Sequence, residues 1–261
     1  MSNSWPKILA NFVAIPLFII LAFYYRPFIP VFETPDEPSH FSVVKYIADS
    51  GQLPEFPNQF REGPVPLIEP GVPEYYAPPF YYALMSLFIM DLETDAFFEQ
   101  LFPNPDFERQ RGLNFIDNYS SKNMYVHTAV NQPNATWVQA FGRIRLFSIF
   151  WGAMTVWAAV LIGKTLWPKG FWFLLPALLI VFNSSFLYLS NGVSNDPLLI
   201  ALSSWLIYLA IFLSSRDITP RYFRIIIFVF LISFAFLTKH TAVIFAPMLL
   251  LVILEQDTWT R

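Results

Sequence analysis

Six long apolar runs are the feature that most limits what this chain can fold into. They fall at about residues 8–25, 146–163, 171–190, 197–213, 225–237 and 241–254. A helix needs about 20 apolar residues to cross the hydrocarbon core of a bilayer, and most of these runs approach that length. Only 13% of the 261 residues are charged, whereas 55% are hydrophobic and 19% aromatic; soluble domains carry roughly 25% charge. The composition therefore predicts an all-α fold, a polytopic transmembrane helix bundle of about six spans. The first run, ILANFVAIPLFIILAFYY, is long and has no small-residue cleavage site behind it, so it is expected to remain as a span.

Charge distribution orients the bundle. The connectors GKTLWPKG (163–170) and SSRDITPRYFR (214–224) are basic and are expected on the cytoplasmic side. Alternation then puts NGVSND (191–196) and the segment 27–142 on the opposite face. That segment holds 15 of the 19 acidic residues and five of the 16 basic ones, a net charge of -10. The whole chain, 1–261, reads as a single membrane domain with 27–142 as a large outer-face loop. Within it APPFYYALMSLFIM (77–90) is short for a span. With two prolines suited to a helix start and paired tyrosines suited to headgroups, it is expected to lie on the membrane as a juxtamembrane helix. The net charge of -3 gives no reason to expect nucleic acid, and the absence of cysteine excludes disulfides and thiolate metal sites. Membrane lipids are the expected surroundings, and the plasma (inner) membrane the expected location.

The candidate site begins where the first span ends, at FETPDEPSHF (32–41). Asp36 and Glu37 are adjacent and bracketed by Pro35 and Pro38, which restrict the backbone. A helix is expected to follow, stopped by Gly51, with His40, Val43, Val44 and Ile47 on one face. The two carboxylates then sit at its N-terminus, where the helix dipole favours negative charge. Carboxylates beside a low-dielectric region can act as a general base or hold a divalent cation. Asp196 is the sole carboxylate between 118 and 216 and opens a span on the same face; it is a functional candidate as well as a helix N-cap.

In chain order, this D-E-x-x-H motif, the PPFYY helix, FGRIRLFS (141–148), NDPL (195–198) and LTKHTA (237–242) resemble the N-terminal portion of GT-C fold glycosyltransferases. The likeness is to the polyprenyl-phosphate-sugar-dependent members, akin to protein O-mannosyltransferases and aminoarabinose transferase, and covers about residues 8–255. It implies a membrane glycosyltransferase with a polyprenyl-phosphate sugar donor, an active face outside the cytoplasm and an inverting transfer. Asp36 would be the base, assisted by Glu37, with Asp196 as the second acidic position. Arg143 and Lys239 match basic positions of the family. The leaving lipid phosphate calls for cations, and Arg143, Arg145, Lys239 and His40 are the candidates.

Relatives carry His or Lys before the Pro-Pro pair, where this chain has Ala77 preceded by Tyr76, which the resemblance makes a substrate-binding candidate. A divalent cation (Mg or Mn) would bridge Asp36, Asp196 and the donor phosphate. Such enzymes are also much longer than this chain. The resemblance therefore implies a truncated chain or one completed by a partner chain that supplies a C-terminal half. An accessory membrane subunit of the same fold and a small-solute transporter are the competing expectations.

Overall fold

The computed structural model describes residues 5–54, 77–94, 102, 104, 123–126, 135–214 and 221–248. Among these the secondary structure is helical and no strand forms. The helices are α1 (Trp5–Tyr25), α2 (Glu37–Ser50), α3 (Phe80–Ser86), α4 (Thr136–Leu166), α5 (Leu175–Val181), α6 (Ser184–Leu189), α7 (Asp196–Ser214) and α8 (Arg221–Thr238). A 3-10 run, His240–Phe245, follows α8 after a break at Lys239.

α4 is the central element, packed against α1, α5 and, most extensively, α7. Its 31 residues make it the one helix among the described residues that is long and apolar enough to cross a membrane. The apolar stretches Val13–Phe28, Asp196–Phe212 and Ile225–Thr238 are shorter. Gly163 lets α4 meet the next turn closely: a Cβ there would lie 2.0 Å from the carbonyl oxygen of Phe173.

Two expectations about elements are corrected. The run 171–190 is not one continuous helix but α5 and α6, broken at Phe182 and Asn183. Asn183 has extended backbone and its Oδ1 accepts from the amide of Phe186, so it caps a new helix rather than continuing the old one. The run 77–90 forms a helix of only seven residues, continued by turns, which packs on α2 and α8. Phe80 meets Phe234 of α8 with ring centroids 4.6 Å apart. Tyr81 and Tyr82, expected at the headgroups, are instead buried in the core formed with Phe41, Val44, Trp137 and Phe141. Of the last apolar run, residues 249–254 lie outside the described residues.

α2 forms as its sequence predicts. Gly51 ends it in the left-handed conformation (φ 67°), its amide donating to the Ile47 carbonyl at 2.9 Å. His40, Val43 and Val44 are buried and Ile47 is half-buried against the same core. Elsewhere large apolar side chains are outward: Ile20 and Phe23 on α1, Phe150 on α4, Ile226 and Phe230 on α8.

Candidate functional site

The turn from α1 to α2 carries two backbone outliers, Phe32 (φ 72°) and Asp36 (φ 58°). Left-handed backbone is uncommon outside glycine, less so for Asp than for a bulky residue such as Phe, and persists where its surroundings over-determine it. Phe32 is held by aromatic packing, stacked 5.6 Å from Trp137 and edge-on to Phe141 at 5.3 Å. Glu33 is half-buried, and its carboxylate accepts from the amides of Met124 (2.9 Å) and Tyr125 (3.1 Å). Its carbonyl accepts from the hydroxyl of Tyr188. The turn is thereby tied to residues 123–126 on one side and to α6 on the other.

Asp36 and Glu37 point to different environments. Asp36 is exposed and makes no side-chain cap hydrogen bond, although its carbonyl accepts from the His40 amide. Glu37 is 0% exposed and faces Arg145, itself 4% exposed. Its Oε1 accepts from Nε (3.1 Å) and Nη2 (3.0 Å) of Arg145 and from the amide of Val193 (2.8 Å). Its Oε2 accepts from Nη2 of Arg145 (3.0 Å) and from the amide of Thr34 (3.4 Å). Arg145 also donates to the carbonyls of Ile29 and Pro30, both at 2.8 Å. Both charged groups are thus turned towards protein partners on the turn, α4 and the loop after α6.

The loop 190–196 is equally enclosed. Ser190, Asn191, Ser194 and Asn195 are all buried. Asn191 donates from Nδ2 to the Ala22 and Leu187 carbonyls, Ser148 donates to the Gly192 carbonyl (2.6 Å), and Asn195 donates to the Thr238 carbonyl (3.2 Å). Buried backbone polar groups need such partners, and polar side chains supply them here. A Cβ on Gly192 would approach Thr34 Oγ1 to 2.7 Å, so glycine is required where the two loops touch.

Asp196 ends this loop and pairs with Lys239, Nζ to Oδ1, at 2.6 Å; each side chain is 35% exposed. His40 is buried and shares a hydrogen bond of 2.9 Å between Nδ1 and the Tyr82 hydroxyl. Burial lowers the His40 pKa to about 4; the charge of Asp196 opposes that shift and the charge of Lys239 adds to it. Burial also raises the Tyr81 phenol, helped by the charges of Glu37 and Asp196. His40, Tyr81, Asp196 and Lys239 thus form one electrostatic neighbourhood at the junction of α2, α3, α7 and the break after α8.

Arg143 stands apart from it. It binds Asp91 (2.6 Å) and the Phe88 carbonyl (3.1 Å) at the surface, and that pairing holds the Asp91 carboxyl below the usual carboxylate range. Tyr76 lies outside the described residues. Among the described residues no three His, Asp or Glu side chains gather as a metal-binding group. Compared with protein-family models, curated proteins and solved structures, the chain has no significant match.

Sequence reasoning assigned Tyr81 and Tyr82 to the headgroup layer, met Asn195 only within the NDPL motif, and counted Arg145 as one of four candidate phosphate contacts. Buried polar roles of this kind leave no periodic signal, because their partners lie far away in the chain.

His40 gives a pH prediction. Its folded pKa, about 4, is below the ordinary 6.5, so the unfolded chain binds the extra proton first. Its contribution is complete above pH 6.5 and is lost as pH falls towards 4, about 3 kcal/mol in all. Unfolding in detergent at pH 7.5 and 4.5 should show a smaller loss of stability for His40→Gln than for wild type. Equal losses would contradict the assignment.

Proposed function

We propose that this chain is part of a multi-pass membrane glycosyltransferase that uses a polyprenyl-phosphate sugar. α1, α7 and α8, with 21, 19 and 18 residues, approach the ~20 that a crossing needs. They would span the bilayer beside α4, and the outward Ile20, Phe23, Phe150, Ile226 and Phe230 would meet lipid. An apolar surface of that kind is costly in water and favourable in a bilayer. The acidic turn and the Asp196–Lys239 pair would lie at the face away from the cytoplasm.

The observation that carries this reading is the contrast between adjacent carboxylates. Glu37 is fully engaged by protein, while Asp36 is exposed in a fixed left-handed conformation at the start of α2. A carboxylate held out in this way can take a proton from an acceptor hydroxyl as its oxygen attacks the anomeric carbon. The bond between that carbon and the phosphate oxygen breaks, inverting the centre, and polyprenyl phosphate leaves. Lys239 offers a cation for the leaving charge, with Asp196 fixing its position. His40, neutral because it is buried, is suited to hydrogen bonding rather than to charge neutralisation. A Mg or Mn ion would find Asp36 and the second oxygen of Asp196 as protein ligands. That is fewer than a protein-built site supplies.

Sugar transfer from a radiolabelled polyprenyl-phosphate-hexose panel, in membranes with matched expression, tests the reading. Asp36→Asn should lower transfer by about 10²–10⁴-fold; equal activity would remove Asp36 from the chemistry. A wild type that is silent on every donor would favour the accessory-subunit reading. Orientation is testable independently because the chain has no cysteine. In intact cells a membrane-impermeant maleimide should label Pro35→Cys, and should label Lys169→Cys only after permeabilisation. The reverse pattern would invert the topology.

A further inference from the structure

Glu37 touches both halves of the site, yet the proposed chemistry gives it nothing to do. It directly follows Asp36 in sequence. Its Oε1 also accepts from the Val193 amide at 2.8 Å, in the loop that ends at Asp196. Arg145 supplies the third side: it grips both carboxylate oxygens and, with its remaining donors, the carbonyls of Ile29 and Pro30 that open the turn. The loop closes against the same turn through Gly192, whose backbone approaches Thr34 too closely to admit a Cβ. Ser148, one helical turn below Arg145 on α4, fixes the Gly192 carbonyl. Finally, Ser194 Oγ accepts from the Asp196 amide at 3.0 Å, joining the clamped loop to the first residue of α7.

We propose that Glu37 is a positioning residue: its carboxylate, held by Arg145, sets the register between the Asp36 turn and the loop that carries Asp196. This rests on the assignment of Asp36 and Asp196 to the transfer site. It departs from the expectation that Glu37 assists as an acid or base. A forked ion pair fixes distance and angle together, which a single hydrogen bond does not. A displacement near 1 Å can cost a reaction about 10²-fold. The clamp also accounts for the left-handed backbone at Asp36. With Thr34, Glu37, Ile29 and Pro30 all fixed, the intervening residues must turn within a set span, and Asp36 is directed outward by default.

Hydrogen exchange on the full chain in detergent tests the clamp without any substrate. Glu37→Gln keeps the size but not the charge, and should accelerate exchange in 29–36 and 190–196 together by at least about tenfold, with 156–166 in α4 unchanged. Gly192→Ala, which forces the loops apart without touching a charge, should reproduce the paired effect. Unchanged protection at 190–196 in Glu37→Gln would overturn the proposal, and so would a loss of protection throughout α4.

In the transfer assay, kcat of Glu37→Gln should fall about 10–100-fold, with the donor KM within about threefold of wild type. The acidic limb of its pH profile should stay in place, because Asp36 retains the proton chemistry. Disappearance of that limb would make Glu37 itself the base and overturn the positioning role. A wild type inactive with every donor would strike at the transferase reading, and the exchange result would still decide the clamp.

Discussion

The carboxylate of Glu37 and the guanidinium of Arg145, 108 residues apart in sequence, meet where both are shut away from water. Removing two charges from water is expensive, and their attraction offsets the cost only when the geometry is good and the leftover hydrogen-bonding capacity is filled. The geometry is good here, and most of that capacity is filled. Arg145 meets the carboxylate through two nitrogens and gives its other donors to two carbonyls, and backbone amides complete the carboxylate. The pair therefore acts less as a source of stability than as a constraint, since few arrangements of the turn, α4 and the loop 190–196 satisfy all these donors at once.

The rest of the site follows from that constraint. With the turn fixed from Ile29 to Glu37, Asp36 is the carboxylate left facing outward. With Val193 fixed, α7 starts where Asp196 meets Lys239, and Lys239 is available because the chain breaks between α8 and the 3-10 run. His40, one turn into α2, is carried into the core against Tyr82, close enough to Asp196 and Lys239 to feel both charges. Acidic, basic and neutral hydrogen-bonding groups are thus gathered by a few polar contacts at one end of an apolar bundle.

Much of this was legible in the sequence where the signal is local. The start of α2 after Pro35-Asp36, its buried face and its stop at Gly51 follow from proline restriction, helical spacing and glycine's freedom at positive φ. The pairing of Asp196 with a residue of the Thr238-Lys239-His240 break was not legible, although both residues were singled out. Nor was the fate of Glu37, which sequence reasoning grouped with Asp36 because two adjacent carboxylates look alike until one of them is buried. Tyr81 and Tyr82 were misplaced for a related reason: an aromatic pair suits a headgroup layer and a helix-packing core equally well. The break at Asn183 was readable in principle, as an N-cap residue inside an apolar run, but hydropathy alone passes over a single polar residue.

The ion pair is therefore the claim on which the account stands, and a double-mutant cycle addresses it most directly. Unfolding of Glu37→Gln, Arg145→Met and the double variant would be compared in the same detergent. Each single change should cost about 3–5 kcal/mol, because it leaves the partner buried and uncompensated, and the double variant should cost far less than the sum. Strictly additive losses would mean that the two groups do not depend on each other, and would contradict that claim.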